Sequence, residues 1–134
     1  MQTFLPYKNY LESVQCLDYK RLGKQRVEAD QILKALQLGS KSRWRNHPAV
    51  KMWKGFEECL VFYINASIYE WSKRGYRNNM QYIIIDLIHL DYPWWLTDEF
   101  CNSHRSNLLR KDYNFYSKYN WDVPDNLPYI WPVR

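Results

Sequence analysis

Glu28 is the only carboxylate between Asp18 and Asp30, in a stretch of the chain that is rich in lysine and arginine. The cations around it in the sequence are Lys20, Arg21, Lys24 and Arg26. A surface that only binds a polyanion needs no carboxylate of its own, whereas proton transfer does need a placed acid or base. The pattern therefore indicates a glutamate with a chemical role inside a cationic surface.

The spacing around Glu28 predicts a shared helix face. Residues three and four apart lie on the same side of a helix. This face comprises Arg21, Lys24 or Gln25, Glu28 and Gln31. A simpler interpretation is a solvated helix surface with pairing between Lys24 and Glu28, worth about 0.2–0.5 kcal/mol.

Two further groups are candidates for binding an anion. Arg43 and Arg45 flank Trp44 just before the expected helix start at His47, where free N–H groups favour negative charge. Trp44 could instead fill the core, and His47 could cap the helix. The second group, His104 and Arg105, also lies at an expected helix start, where His104 either binds a phosphate or caps the helix.

Length and composition predict one globular domain spanning residues 1–134. Hydrophobic residues make up 46% of the chain and aromatic residues 18%, which favours a packed core. The sequence has no apolar run near 18 residues and no signal-like apolar region over residues 1–10, so we expect no membrane span and a cytoplasmic location, that of the host cell if the protein is viral. The three cysteines lack CxxC spacing and are predicted to be buried, reduced thiols.

Charge is distributed unevenly along the chain. Residues 1–54 carry eleven Lys or Arg and four Asp or Glu, a net charge of +7, whereas the remaining residues carry eight and ten, a net charge of −2. The basic part is the expected face for a nucleic acid, although a solvated surface with accidental bias would show the same composition.

Hydrophobic periodicity predicts a mainly α fold, a compact single-domain helical bundle with three main helices and extended termini. The helices are expected over 11–38, with Gly23 as a possible break, over 48–74 as one long central helix, and over 103–119. The apolar run at 82–88 fits a strand or a helix turn, and we favour the helix. Prolines make 122–132 an extended tail.

Several chemistries are not indicated by the sequence. It contains no GxxxxGK[ST], GxGxxG, HExxH or GxSxG motif. The three histidines have no ligand-like spacing, so we expect neither a metal site nor another cofactor.

Motifs along nearly the whole chain resemble the pyrimidine dimer DNA glycosylase superfamily, whose best-known members are the phage endonuclease V enzymes. The segment that starts Thr-Phe-Leu-Pro-Tyr at Thr3 is typical of an uncharacterised bacterial and viral branch. The other matching residues are Leu17-Asp18, Arg21-Leu22, Lys24-Gln25, Glu28, His47-Pro48-Ala49-Val50, Met52-Trp53, Arg74-Gly75-Tyr76, His104-Arg105 and Leu108-Leu109.

The resemblance implies a compact helical bundle with the amino terminus inserted among the helices, and a base-excision mechanism. An α-amino group would attack deoxyribose C1′, expel the base and form an imine, and β-elimination would then nick the strand. The assisting glutamate of the family falls on Glu28. This sequence has Arg21, Val27 and Gln31 where the family has histidine, arginine and arginine, which leaves the excised base open.

Elementary chemistry also favours an amino-terminal nucleophile. An α-amine with a pKa of about 7.7–8.0 is far more often neutral near pH 7.5 than a lysine with a pKa of about 10.4. Gln2 is bulky, which favours retention of the initiator methionine and hence Met1 as the terminal amine. If the terminus is blocked or remote, Glu28 could instead activate water.

The expected partner is double-stranded DNA that carries a damaged or modified base, bound by a monomer. Exposure of C1′ in a duplex requires base flipping, for which Trp44, Trp53 and the segment Pro93-Trp94-Trp95 are stacking candidates. Two alternatives remain at this point: a non-catalytic DNA-binding module, and an enzyme acting on free nucleosides, nucleotides or RNA bases.

Overall fold

Helices form all the regular secondary structure in the described part of the chain. The structure is a computed structural model that describes residues 1–84 and 92–133, and in these residues no strand occurs. The helices are α1 (Tyr10–Gln15), α2 (Tyr19–Leu38), α3 (Pro48–Trp53), α4 (Glu57–Lys73), α5 (Asp98–Lys111) and α6 (Tyr113–Tyr116), with 3-10 turns at Gly39–Lys41 and Ser117–Tyr119. The predicted mainly α bundle with three main helices is confirmed, the long ones being α2, α4 and α5.

The first predicted helix is divided, but not at Gly23. The break falls before Asp18, whose extended backbone (φ −65°, ψ 161°) precedes α2. Gly23 lies inside α2 for a packing reason, because a Cβ at this position would stand 3.0 Å from Cζ3 of Trp71. The glycine thus allows the Trp71 ring to lie directly on the helix backbone.

The long central helix is also two helices, α3 and α4. Pro48 occupies the first turn of α3, and the imidazole of His47 caps that helix by accepting from the Ala49 N–H (3.1 Å). The interruption is at Gly55, whose φ of +89° is strained for any residue with a side chain. The predicted cap is therefore confirmed and the predicted continuity is wrong.

The third helix begins and ends earlier than predicted. It starts at Asp98, where the hydroxyl of Thr97 accepts from the Phe100 N–H (3.2 Å). It ends at Lys111, because Asp112 leaves the helical region (φ −152°, ψ 79°) and caps α6 instead. A threonine followed by two acidic residues is a helix-start signal that apolar periodicity alone does not detect.

The predicted helix over 82–88 falls mostly outside the described residues. Residues 82–84 are not helical, and 85–88 lie in the undescribed part of the chain.

The core lies between α2 and α4, and it takes up several aromatic residues that the sequence offered as DNA contacts. Trp53 is 0% exposed and Trp95 is 3% exposed, so neither can stack on a base, whereas Trp44 and Trp94 reach the surface. The cysteines are buried and form no disulfide, as predicted. No helix of the described residues is long and apolar enough to cross a membrane.

Candidate active site

Residues 2–7 form a segment outside any helix, with a bend at Pro6 and Tyr7, and side chains bond its backbone groups. Because such a segment lacks the regular backbone hydrogen bonds of a helix, every buried N–H and C=O needs a partner from elsewhere. The partner side chains include those of Gln25, Glu28, Tyr63, His104, Arg105 and Ser13. The segment is therefore fixed by residues from α1, α2, α4 and α5.

The middle of the segment is held by a buried polar group centred on Phe4. The Phe4 N–H donates to the Gln25 side-chain oxygen at 2.7 Å, and the Tyr63 hydroxyl lies 2.8 Å from both that oxygen and the Phe4 carbonyl. The hydroxyl of Thr3 accepts from the indole of Trp53 at 3.0 Å. Gln25 is 1% exposed, so its amide oxygen serves the segment from inside the protein.

His104 and Arg105 hold the other end of the segment. The Nδ1 of His104 accepts from the Leu5 N–H at 2.9 Å, and the Nε of Arg105 donates to the Pro6 carbonyl at 2.7 Å. Burial lowers the pKa of His104 to about 3, so the imidazole is neutral and acts as an acceptor. A phosphate contact through His104 does not fit this placement, because the side chain is 1% exposed and faces the core.

The start of the segment meets the predicted catalytic carboxylate. The Gln2 N–H donates to Oε2 of Glu28 at 3.2 Å, in place of the surface pairing between Lys24 and Glu28 that the spacing allows. Three backbone bonds separate the Met1 nitrogen from the Gln2 nitrogen, so the Met1 amine lies within about 7 Å of that oxygen.

A cavity of about 400 Å³ opens at this junction. Its cations are Lys20, Arg21, Lys24 and Lys111, and Glu28 is its one acidic side chain. Met1, Gln2 and Gln25 contribute to the wall from the N-terminal side, and the aromatic rings are those of Phe4, Tyr129 and Trp131. The volume is typical of small-molecule sites, and the lining combines phosphate-binding cations with rings on which a base can stack.

His47 lies near the same junction, beside the C-terminal tail. Burial and the positive terminal amine lower the pKa of His47, whereas the Glu28 carboxylate raises it, and the net shift is downward. Its ring contacts Trp131 edge-on at 6.3 Å and Trp44 at 6.2 Å. His47 is therefore a mostly neutral group between the tail and the loop that carries Trp44.

The other predicted contact residues are spread over neighbouring surfaces. Gln31 lines a shallow depression of about 640 Å³ that shares Lys20, Lys24 and Glu28 with the cavity. Arg45 lines a separate depression of about 580 Å³ with Lys51 and Lys54. The guanidinium of Arg43 lies over the Trp44 ring at 5.2 Å, and Trp44 is 44% exposed, so it does not fill the core. The structure thus brings Met1, Arg21, Lys24, Gln25 and Glu28 together, with Gln31 and His47 adjacent.

Sequence reasoning missed part of the cavity wall. Gln2 and Phe4 follow directly from the insertion of the segment, and Lys20 lies one turn from Lys24 on α2. Lys111 is a cation in the last turn of α5, and Tyr129 and Trp131 belong to the tail that was predicted only as extended. The one available signal was the aromatic content of that tail.

No metal site is indicated in the part of the chain that the structure describes. Groups of three or more His, Cys, Asp or Glu side chains in metal-like proximity do not occur there.

Comparison with known proteins gives one match. A family model described as pyrimidine dimer DNA glycosylase matches residues 1–84, more than half of the chain. No curated protein and no solved structure matches. The matched residues include Met1 and Glu28, whereas Lys111, Tyr129 and Trp131 lie beyond them.

Proposed function

The chain belongs to the pyrimidine dimer DNA glycosylase family, and on this basis we propose that it excises a base from duplex DNA by attack of an N-terminal amine on deoxyribose C1′. Membership supports a DNA glycosylase type of activity and a DNA substrate at the level of the family. The amine mechanism, a following lyase step and the roles of individual residues are our proposals.

One contact carries the proposal, the hydrogen bond from the Gln2 N–H to Oε2 of Glu28 (3.2 Å). It fixes the start of the chain beside a half-buried carboxylate in a cavity. If Met1 is retained, its amine is one residue from the contact. If Met1 is removed, the nitrogen that already touches Glu28 becomes the amine. Both forms keep a nucleophile and a base within reach of one substrate carbon.

The proposed reaction proceeds in two steps. The neutral amine forms a bond to C1′, the glycosidic bond breaks, and the base leaves with the bonding electrons. Glu28 accepts the proton that the attacking amine loses, and it returns this proton to the ring oxygen O4′ when the nitrogen lone pair breaks the C1′–O4′ bond, which leaves an imine at C1′. Removal of a C2′ proton then breaks the bond from C3′ to its phosphate oxygen, which nicks the strand.

The cationic rim provides the binding energy for such a substrate. Lys20, Lys24 and Lys111 are exposed at the cavity and can neutralise phosphates on both sides of the reacting nucleotide. Tyr129 and Trp131 offer ring faces to a base displaced from the duplex stack, which offsets a cost of a few kcal/mol. We therefore propose that the tail contributes to the choice of base.

The test is borohydride trapping on duplexes that carry an abasic site or one of a panel of damaged and modified bases. An imine is reduced to a stable protein–DNA adduct, and mass analysis should place the adduct on the α-amine of Met1, or of Gln2 if Met1 is removed. Because an α-amine has a low pKa for an amine, trapping should persist near pH 7 and be abolished by acetylation of the terminus.

Other outcomes identify the competing mechanisms. An adduct on Lys20 or Lys24 would transfer the nucleophile to α2. Base release without any adduct would mean that Glu28 activates water. A protein that binds duplex DNA with a steep salt dependence but neither releases base nor forms an adduct is a binding module, and activity on free nucleosides with weak, salt-insensitive DNA affinity would contradict the duplex substrate.

A further inference from the structure

Arg21 differs from the other three cations of the cavity. Its Nη1 lies 3.1 Å from Oδ1 of Asp18, and its side chain is only 23% exposed. The lysines Lys20, Lys24 and Lys111 are exposed, and none has a carboxylate within 4.0 Å among residues 1–84 and 92–133. Among the described residues, Arg21 is therefore held by a carboxylate, whereas the three lysines of the cavity are exposed and are not held by an ion pair.

Asp18 occupies the N-cap position of α2 without capping the helix. An aspartate at this position ordinarily accepts from an N–H of the first turn. Here the side chain makes no such bond, and its carboxylate accepts from Arg21 and from the hydroxyl of Tyr116 instead. The carboxylate that could stabilise the helix end is thus used to hold an arginine.

Tyr116 holds Asp18 through two groups at once. Besides donating to the carboxylate, the hydroxyl accepts from the Asp18 N–H at 3.1 Å. The Tyr116 ring is fully buried and is stacked on Trp121, with ring centres 6.0 Å apart and planes 16° apart. Neither the backbone nor the carboxylate of Asp18 can turn without breaking a hydrogen bond to Tyr116.

The protonation states are consistent with a permanent brace, the name used here for Asp18 and Tyr116 together. Burial disfavours the Asp18 carboxylate, but hydrogen bonds from Tyr116 and Arg21 outweigh that effect and lower the pKa of Asp18. Burial raises the pKa of Tyr116, so its hydroxyl keeps its proton. At neutral pH the group contains a neutral hydroxyl, a carboxylate and a guanidinium.

We propose that Asp18 and Tyr116 are positioning residues that hold the Arg21 guanidinium toward a phosphate of the reacting nucleotide. The inference rests on the proposed function. A guanidinium has five N–H donors in a rigid fork, so the contact with Asp18 leaves donors for a bidentate phosphate contact. A preoriented fork would fix the sugar relative to the amine, whereas the exposed lysines without ion pairs would only attract the strand.

The test is a double-mutant cycle with Asp18→Asn, Tyr116→Phe and Arg21→Ala, measured as single-turnover base release at saturating DNA. Asp18 does not line the cavity but pairs with Arg21, which does, so Asp18→Asn removes a negative charge beside the cavity, and electrostatics alone would tighten DNA binding. We expect the excision rate to fall even though binding does not weaken. Each brace substitution should slow excision about tenfold while DNA affinity stays equal or increases. In the Arg21→Ala background neither should slow it further.

Two matched substitutions serve as controls. Tyr119→Phe removes a hydroxyl from the same aromatic stack, one that donates to the Cys16 carbonyl (2.9 Å) rather than to Asp18. Asp30→Asn removes a carboxylate from the same helix, one that pairs with Lys34 (2.9 Å). Both should leave the rate within about twofold of the wild type.

The inference is overturned if the brace substitutions slow excision equally with and without Arg21, because the effect would then pass through the fold. If Tyr116→Phe does not fold, Asp18→Asn alone completes the cycle.

If the wild type excises no base, the proposed function fails, and the cycle is measured as affinity for an abasic duplex. Coupling between Asp18 and Arg21 would still support the brace, and additivity would contradict it.

Discussion

Within the N-terminal segment, the open end at Gln2 and the stretch from Thr3 to Leu5, here called the buried end, are held by different kinds of partner. From Thr3 to Leu5 the partners are neutral and buried, namely Trp53, Gln25, Tyr63 and His104. At Gln2 the partner is an ionisable carboxylate, Glu28, which is only half-buried. Over about three residues the environment changes from a closed core to an open cationic cavity.

The difference shows how a small fold can keep a chain terminus both fixed and accessible, which the proposed mechanism requires. Hydrogen bonds between neutral groups are favourable in the core because neither partner carries a charge whose hydration is lost on burial. A carboxylate in an open cavity is accessible to a substrate and can exchange a proton with it. The buried end therefore supports stability and the open end supports chemistry, and substitutions at the two ends should produce separable effects.

The largest effect is expected at the open end, from Glu28→Gln. Glutamine can still accept from the Gln2 N–H but cannot take up a proton, so excision should fall about 10²- to 10⁴-fold while stability changes little. The measurements are single-turnover base release and urea unfolding. Glu70→Gln is the matched control, because Glu70 is buried and pairs with Arg74 at 3.0 Å. It should show the reverse pattern, with lost stability and retained activity.

Equal loss of activity in both glutamate variants would contradict the expected separation of activity from stability, since Glu28 would then matter only through the fold.

The next largest effect is expected at the buried end, where lowering the pH should reduce the free energy of unfolding. Burial lowers the pKa of His104 to about 3, whereas an exposed histidine titrates near about 6.5. Acid therefore protonates the unfolded chain first, and the stability contributed by the neutral imidazole is complete above about pH 6.5. It should be lost as the pH falls toward 3, at about 1.4 kcal/mol per pH unit.

His104→Asn isolates this contribution, because asparagine offers an acceptor to Leu5 but does not titrate. Urea unfolding between pH 7 and pH 4.5 should show a smaller loss of free energy of unfolding for the variant than for the wild type. Parallel curves for the two proteins would mean that His104 is protonated in the folded state, contrary to its assigned role as an acceptor.

The smallest effect is expected at the rim, from Lys111→Ala. Loss of one phosphate contact should reduce the slope of log affinity against log salt by about one unit, with the rate at saturating DNA unchanged. Lys73→Ala is the control, since Lys73 is an exposed lysine at the end of α4 and does not line the cavity. If the two lysines gave the same slope, the cavity would have no special part in binding the strand.

The sequence predicted the helical class and part of the cavity, and missed what depends on distant contacts. Apolar spacing located the long helices, because burial of one face dominates their stability. It offered a break at Gly23 and missed the breaks at Asp18 and Gly55, where the backbone is bonded by a buried tyrosine and has a positive φ, respectively. Periodicity contains neither kind of information.

The candidate site shows the same division. Met1, Arg21, Lys24 and Glu28 lie within 28 residues of each other, and motif spacing could connect them. Tyr129 and Trp131 reach the cavity from the tail, about 100 residues further on. No local pattern predicts which aromatic side chains of a proline-rich tail pack against the cavity. For His104 the sequence suggests a phosphate contact or a helix cap. The structure instead shows a buried acceptor for the Leu5 N–H, a partner 99 residues away that no local pattern identifies.

The bond between Leu5 and His104 spans 99 residues, and that between Asp18 and Tyr116 spans 98, which has a consequence for biosynthesis. During translation at about 5–20 residues per second, the N-terminal segment is synthesised roughly 5–20 seconds before those partners. Until they are made, the segment cannot be enclosed and is open to enzymes that modify chain termini. Under the proposed mechanism, the chemical identity of the amine is therefore decided on the nascent chain, before the cavity around Glu28 has formed.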